Sequence, residues 1–315
     1  DFRELKLWIE DKNHIPRDEI RIVDGLLTIS KEDNEVILVP KAFSRRLVHK
    51  LHSEMCHIGI KKLLHYLKDI FFWPKMQDSV QEVIGECEYC AKRKAVQSKT
   101  KEIFIPRESS EFLEQLVMDV AYMEEFSGKR YVLVIVDRFS KLVCLTPLTK
   151  QDDVSIFKAI LHRWIYRFGK PKSILSDRGK NFESQYLRHQ LGKFGIKQEY
   201  STPYQHQSNG LVERAIRTMR DLLSATLASG CAERNWHDLL PRIEYTLNST
   251  LQNATGCTPF EVVFGRRLNL HSTLKHSIQS KQSIMDKCKE KERDARERMA
   301  RQDTENRGRR ILKVG

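Results

Sequence analysis

The sequence predicts an α/β protein in which a mixed five-stranded sheet flanked by helices follows a small helical metal-binding domain. Two observations lead to this prediction. A His-x4-His pair lies 29 residues before a Cys-x2-Cys pair, which is a metal-ligand spacing. Beyond residue 110, short β-branched runs alternate with stretches whose apolar residues recur at helical spacing, as in a layered α/β domain.

Length, charge and cysteine content limit the class of protein. The 315 residues suffice for two or three domains, and a formal net charge of +13 favours a polyanionic partner. No run of eighteen apolar residues occurs, so neither a transmembrane helix nor a membrane partner is expected. Seven scattered cysteines are typical of a reduced, intracellular chain. The start Asp-Phe-Arg, without Met, favours a fragment or a product cut from a polyprotein.

The first part of the chain carries the metal-binding pattern. Residues 26–29 and 36–40 predict a hairpin around a polar turn at 31–34. The paired ligands that follow are His52, His57, Cys87 and Cys90. Imidazole and thiolate together suit a closed, tetrahedral structural zinc site, with one Zn²⁺ per chain.

Two other residues in this segment compete as ligands. Cys56 directly precedes a ligand and should point elsewhere, and His65 fits a helix face better than a metal. A lone Cys-x2-Cys pair is also compatible with an accidental or redox-active motif, and the upstream histidines favour zinc. A module of about 50 residues has a thin core, so the metal should support its folding and multimer assembly.

The second part of the chain predicts the order strand, strand, strand, helix, strand, helix, strand, helix, helix. Residues 131–136 form a continuous β-branched run, typical of a central buried strand, and 142–146 is its expected neighbour. Apolar residues between 156 and 165 predict a helix that ends near Gly169, and a short strand at 173–175 follows. This order matches a ribonuclease H-like fold.

Three acidic residues are the candidate catalytic groups. Asp119 ends an apolar run, Asp177 follows a short strand, and Glu213 opens a helix after an interval of 35 residues. Two strand-end aspartates and a helical glutamate can converge on a pair of divalent metals, which drives phosphoryl transfer on nucleic acid. An isolated acid is more often a solvated or capping residue, but three in these contexts favour catalysis.

The helix predicted from residue 211 to about 228 has two faces. Glu213, Arg217 and Arg220 share one face, because their spacing is i, i+4 and i+7. The other face is a predicted buried stripe: Leu211, Ala215, Met219, Leu222 and Leu223. The first face is either a solvated surface with an ordinary Glu–Arg pair or a DNA-facing ridge with phosphate-binding arginines. We favour the ridge.

Four motifs resemble those of integrases from retroviruses and, more closely, from gypsy-type LTR retrotransposons. They are Val-Asp-Arg-Phe-Ser at 136–140, Ser-Asp-Arg-Gly-Lys-Asn-Phe at 176–182, Gln-Ser-Asn-Gly-Leu-Val-Glu-Arg at 207–214 and Thr-Pro-Phe-Glu-Val-Val-Phe-Gly at 258–265. Each motif alone is weak, but together they are specific. The resemblance runs from about residue 20 to the end of the chain.

This resemblance implies an enzyme that processes the 3′ ends of element DNA and joins them to target DNA. It implies that Asp119, Asp177 and Glu213 hold two Mg²⁺ (or Mn²⁺) ions at the active site. The implied partners are the element DNA ends, the target DNA, further copies of the chain in a dimer or tetramer on DNA, and a chromatin tether. The implied location is the nucleus, after a cytoplasmic particle.

The resemblance also suggests DNA contacts outside the ridge. Similar integrases have a mobile active-site loop before the glutamate helix, so Tyr204 and Gln205 are candidate contacts to the DNA end. Lys180 and Asn209, within the matching motifs, are two more. His206 suggests a general base, but metal-activated nucleophiles do not require one, so we assign it to DNA contact or structure.

We divide the chain into six segments. They are an extension (1–47), the zinc-binding domain (48–97), a basic linker (98–110), the core (111–271), a basic helical linker (272–308) and the truncated start of a C-terminal module (309–315). Three alternatives stay open: a domesticated, integrase-derived DNA-binding or regulatory host protein, a related nuclease or cut-and-paste transposase, and a zinc-binding DNA adaptor. The adaptor does not explain the acidic triad.

Overall fold

The computed structural model describes most of the chain between residues 20 and 297. The described residues are 20–23, 26–31, 34–94, 109–201, 210–230, 235–268, 283–291, 293–294 and 297. Among these residues, no helix combines the length and apolar character needed to cross a membrane.

A small sheet opens the described chain. Its strands are β1 (Ile20–Val23), β2 (Leu26–Lys31), β3 (Asn34–Leu38) and β4 (Phe71–Phe72). The first three are antiparallel, and β2 and β3 form the predicted hairpin with Lys31 opposite Asn34. The short β4 pairs with β3 in parallel and ties the sheet to the helices that follow.

Four helices build the metal-binding region. They are α1 (Lys41–Glu54), α2 (Ile60–Lys68), α3 (Met76–Gly85) and α4 (Glu88–Lys94). Pro40 precedes α1, a position where a residue without a backbone N–H costs nothing. The boundary that we place at residue 47 therefore falls inside α1. Leu51, Leu63 and Leu67 lie in the buried core that these helices share.

The second domain contains the predicted mixed five-stranded sheet. Its strands are β5 (Gln115–Phe126), β6 (Lys129–Asp137), β7 (Val143–Leu148), β8 (Ser173–Ser176) and β9 (Lys197–Tyr200). They lie in the order β7-β6-β5-β8-β9. The pairs β5–β6 and β6–β7 are antiparallel, and the pairs β5–β8 and β8–β9 are parallel.

Helices cover both faces of this sheet, which confirms the predicted fold class. They are α5 (Asp153–Ile160), continued by a π-helical turn (Leu161–Ile165) and a last α-helical turn (Tyr166–Phe168), then α6 (Gln185–Lys193), α7 (Gly210–Ala228), α8 (Trp236–Ser249) and α9 (Pro259–Phe264). Side chains alternate along β5 as a strand requires. Leu116 and Met118 pack with α5 and α6, whereas Val117 and Ala121 pack with α7 and α8.

Side chains of α8 bond to the backbone of β7, the strand at one edge of the sheet. Glu244 Oε2 accepts from the Leu145 N–H at 2.8 Å. Asn248 accepts from the Val143 N–H and donates to the Val143 carbonyl, both at 2.8 Å. Polar groups that an edge strand would otherwise leave unpaired are thereby bonded within the chain.

The described part of the run assigned as a basic helical linker also packs on the core. Residues 283–291 are helical, and Ile284 and Cys288 are buried against Phe139 and Val262 of the core. These two residues are four apart and so share one helix face. One face of the helix therefore packs on the core, although most of its residues are charged.

Candidate active site and metal centre

Asp119 and Asp177 lie side by side because β5 and β8 run in parallel. The pairing matches Leu116 with Ile174 and Val117 with Leu175. Continuing this register by two residues aligns Asp119 with Asp177, and the effect of the Asp177 charge on Asp119 agrees with that proximity. Asp177 follows the last residue of β8, as predicted, but Asp119 is the fifth residue of the twelve-residue β5. The prediction that Asp119 ends its strand is wrong, because β5 continues its pairing with β6.

The environment of Asp119 shows that the three acids share one site. Its carboxylate accepts from the Val120 N–H at 2.7 Å. Burial is the largest cause that raises its pKa, to about 6, and the negative charges of Asp177 and Glu213 raise it further. The Val120 hydrogen bond and the nearby Arg220 guanidinium act in the opposite direction. The like charges are therefore close enough to repel.

A tight turn after β8 orients the second aspartate. Asp177 Oδ1 accepts from the Gly179 N–H at 3.0 Å. A Cβ atom on Gly179 would stand 3.1 Å from that oxygen and 2.8 Å from the Asn181 side chain. A larger residue at position 179 would therefore displace the side chain of Asn181 or the carboxylate of Asp177, so glycine leaves both in place.

Glu213 lies in the first turn of α7, on an exposed face. The opposite face packs on the sheet, and the predicted buried stripe is confirmed at Met219, Leu222 and Leu223 but differs at the start of the helix. Val212 and Ile216 are buried, whereas Leu211 and Ala215 are only partly buried. Two apolar rows lie next to each other at the start of α7. Contact with the sheet buries the row of Val212 and Ile216 rather than the predicted row of Leu211 and Ala215.

The structure describes three of the residues predicted to contact DNA. Arg217, Arg220 and Lys180 are exposed. Arg220 Nη2 also donates to the Tyr122 carbonyl at 3.0 Å, so its guanidinium is held beside the triad. The remaining candidates lie outside the described residues: Tyr204, Gln205, His206 and Asn209.

Another acid near the sheet, Asp137, is buried and has a structural role. Asp137, in the first of the four motifs, accepts from the Ser140 N–H and hydroxyl at 2.7 Å each and from the Leu113 N–H at 3.1 Å. Burial raises its pKa, and these hydrogen bonds oppose that effect. The bonds fix the turn between β6 and β7, so this motif holds the sheet together.

The four predicted zinc ligands converge at the end of α1 and the start of α4. His57 Nδ1 lies 3.2 Å from His52 Nε2 and 3.4 Å from Cys87 Sγ. Cys90 Sγ lies 3.3 Å from His52 Nε2. All four ligand atoms lie within 4.8 Å of one another.

The three distances of 3.2, 3.3 and 3.4 Å are close to those around a tetrahedral zinc ion. Metal–ligand bonds of about 2.0–2.3 Å place tetrahedral ligand atoms roughly 3.3–3.8 Å apart. Two imidazoles and two thiols are also the donor set of a closed structural zinc site. The arrangement confirms the predicted His-His-Cys-Cys domain.

The two competing residues lie away from the ligand group. Cys56 is fully buried in the hydrophobic core, and His65 faces Asp69 with an N–O distance of 4.0 Å. Cys56 and His57 both adopt positive φ angles, 53° and 58°, which are costly for residues other than glycine. A bond from the His57 N–H to the His52 carbonyl, 2.8 Å long, holds this turn and aims His57 at the site.

The sequence analysis did not predict the role of Arg242, which connects α8 to the end of α1. Arg242 on α8 donates to the carbonyls of Ser53 at 2.7 Å and Glu54 at 2.8 Å, at the C-terminal end of α1. Nearby, the hydroxyls of Tyr66 and Tyr245 lie 3.2 Å apart. The metal-binding region therefore contacts the core within one chain. Arg242 belongs to no motif, and its acceptors are backbone atoms, so the sequence carries no signal for this contact.

Comparison with known families matches both parts of the chain. Residues 39–96 match the integrase zinc binding domain, and residues 111–206 match the integrase core domain. This chain carries the zinc-binding and core domains of an integrase. The resemblance inferred from the motifs is confirmed. The zinc-domain match begins before residue 48 and includes all of α1.

Relatives at the level of whole proteins include the Tf2-3 and Tf2-4 transposon polyproteins of Schizosaccharomyces pombe (strain 972). Each is 31% identical over 261 residues, which is 81% of this chain and 19% of the polyprotein. The chain thus spans about a fifth of their length. Among solved structures, a chain of the simian T-cell lymphotropic virus intasome, in complex with PP2A regulatory subunit B56 gamma, matches with a TM-score of 0.54. That match has 19% identity and covers 74% of this chain and 78% of that one, which supports the fold.

We expect His57→Asn and Cys87→Ser to lower zinc affinity more than about 100-fold, because removing an outer partner of a ligand already costs 10–100-fold. The matched control His65→Asn should retain one zinc per chain. Metal analysis of the purified proteins measures both effects. Full zinc content in Cys87→Ser would contradict the assignment.

The raised pKa of Asp119 gives a stability effect with a definite sign. The folded state holds the proton up to about pH 6 and an ordinary aspartate releases it near 3.8, so folding stability falls as pH rises between these values. We expect Asp119→Asn to stabilise the protein by about 1–3 kcal/mol at pH 8 and not at all at pH 3. Urea unfolding without added divalent cations measures this difference.

Asp152 provides the control of opposite sign. Its carboxylate accepts from the Ser155 N–H at the start of α5, and this bond lowers its pKa. Asp152→Ala should destabilise the protein at pH 8, with a smaller loss at pH 3. Equal effects of Asp119→Asn at both pH values would contradict the electrostatic account.

Proposed function

We propose that this integrase processes the 3′ ends of an element's DNA and joins them to target DNA by metal-dependent phosphoryl transfer. The observation that carries the proposal is the convergence of Asp119, Asp177 and Glu213 beside Arg220 on one side of the sheet. The integrase core match and the polyprotein relatives support the same reaction.

The donor set fits hard divalent cations. Three carboxylates supply only oxygen atoms, which Mg²⁺ and Mn²⁺ prefer. The negative charges of Asp177 and Glu213 act on Asp119, so the three acids are near enough to serve one metal site together. When bound, the ions would supply Lewis acidity and neutralise developing charge on the phosphate.

The protein's own groups would hold and orient the reactants. Hydrogen bonds from Val120 and Gly179 fix the carboxylates of Asp119 and Asp177. Arg220, anchored on the Tyr122 carbonyl, offers its remaining N–H groups to a DNA phosphate. Arg217 lies one turn earlier on the same exposed face. Such positioning lowers the barrier because the reacting groups are already aligned.

The assembly and location of the enzyme are part of this proposal. We propose that several copies of the chain act together on the two DNA ends and the target. The matched intasome chain supports only the fold, so copy number and chromatin tether rest on the resemblance alone. Action on chromosomal DNA would place the enzyme in the nucleus.

The alternative function, a domesticated host protein that binds DNA without catalysis, predicts a different site. A protein retained only for DNA binding would not need three acids that repel one another. Besides burial, the charges of Asp177 and Glu213 raise the pKa of Asp119, so the folded chain holds these acids together at an electrostatic cost. The triad therefore favours a working enzyme.

We expect Asp119→Asn, Asp177→Asn and Glu213→Gln each to reduce processing and joining by at least about a hundredfold, the scale for losing one charge-stabilising group. DNA binding should be nearly unchanged. Glu183→Gln, an exposed acid near Asp177, is the matched control and should keep both activities. The assay uses paired end-mimicking oligonucleotides and supercoiled target with Mg²⁺. Near wild-type joining by any triad variant would remove that residue from the site.

We expect Arg217→Ala and Arg220→Ala to weaken binding to the element ends and to lower the salt slope by about one unit per lost phosphate contact. A base contact would add roughly 1–3 kcal/mol of discrimination against a scrambled end. Arg167→Ala, an exposed arginine after α5 on the other face of the sheet, is the control. Salt titrations with cognate and scrambled ends measure these effects, and unchanged slopes would mean a merely solvated face.

A further inference from the structure

Two cysteines outside the zinc site meet where residues 283–291 pack on the core. Cys257 lies in the loop before α9, and Cys288 lies on the C-terminal helix. Cys288 is 0% exposed, beside Phe139 and Val262, and Cys257 packs half-buried against the same cluster. A hydrogen bond joins the two side chains, and both are thiols in this structure.

The backbone holds Cys257 rigidly in place. Its carbonyl accepts from the Gln252 N–H and the Thr255 hydroxyl, both at 3.1 Å. The next residue, Thr258, starts α9 with a capping box in which it exchanges hydrogen bonds with Glu261. These bonds hold the backbone of Cys257 at the place where its thiol contacts Cys288.

The charges around Cys257 favour its thiolate. The Cys288 hydrogen bond is the main cause that lowers its pKa, burial and Glu261 act in the opposite direction, and Lys287 and Lys291 assist. Lys291 covers the backbone of Gly256, where a Cβ atom would collide with it. This environment is typical of a reactive thiol, because nearby cations stabilise the thiolate.

Cys144 shows the contrasting case within the same domain. Burial raises the pKa of the Cys144 thiol to about 12, and its Sγ donates to the Arg163 carbonyl. A buried thiol of this kind is inert. Cys144 is therefore a matched internal control.

We propose that Cys257 and Cys288 form a redox-active pair, which a small disulfide such as oxidised glutathione converts to a disulfide that fastens residues 283–291 to the core. The Cys257 thiolate attacks one glutathione sulfur, forming a mixed disulfide and releasing one glutathione thiolate. The Cys288 sulfur then attacks Cys257 and releases the second thiolate. The two protein thiols lose two electrons in total, and their two protons end on the two reduced glutathiones.

The disulfide would fix the position of residues 283–291 on the core. It would link α9 and its preceding loop to the helix through which the chain leaves the core. Because such a cross-link restricts the unfolded chain, oxidation should also stabilise the fold. This inference is independent of the proposed phosphoryl transfer.

The experiment uses the zinc-loaded full chain in glutathione buffers of increasing oxidised fraction. After alkylation and digestion without reductant, mass spectrometry should find peptides joined through Cys257 and Cys288 before any disulfide at Cys144. The melting temperature of the oxidised protein should rise by roughly 5–10 °C and return on reduction.

The variants separate this pair from general oxidation. Cys257→Ser should abolish the disulfide, and Cys144→Ser should retain it. Cys288→Ala should instead keep glutathione bound to Cys257, which reports the attacking thiol even if this variant is less stable. A lasting glutathione adduct on Cys257 in the wild type, disulfides only at other cysteines, or no oxidation in excess oxidised glutathione would each overturn the proposal.

Discussion

The parallel pairing of β5 with β8 is the constraint on which the arrangement of the proposed active site depends. It brings Asp119 close to Asp177, and the antiparallel pairing of Asp119 with Val134 on β6 keeps β5 in that register. Side chains alternate along a strand, so a slip of one residue would turn Asp119 toward the opposite face. The buried row of α7 packs on the face that Asp119 shares, and it brings Glu213 to the same place.

This geometry is held against electrostatic repulsion. Burial is the main cause that raises the pKa of Asp119 to about 6, and the negative charges of Asp177 and Glu213 raise it further. Backbone pairing of two strands and the packing of α7 fix the acids where solvation alone would separate them. Local destabilisation of this kind is common at functional sites, where the surrounding structure over-determines the position of each group.

Local patterns predicted much of the molecule, and the failures have specific physical causes. The zinc ligands and the β6 run at 131–136 were predictable because spacing and periodicity are properties of adjacent residues. Asp119 was placed at a strand end because a polar residue after an apolar run resembles one, whereas pairing with β6 extends β5. In α7, Leu211 and Val212 begin two neighbouring apolar rows, and only contact with the sheet decides which is buried. The role of Arg242 depends on backbone acceptors, which have no sequence signature.

That last contact connects the metal centre to the core. The C-terminal carbonyls of a helix lack partners within the helix and carry partial negative charge, so a guanidinium is a favourable partner. Arg242 supplies it at Ser53 and Glu54, directly after the ligand His52. The strained turn at Cys56 and His57 follows at once. Residues 52–57 therefore contain two of the predicted zinc ligands and also accept the hydrogen bonds from Arg242 of α8. A zinc ion held by these ligands would then stabilise the contact between the two domains as well as the fold of the first.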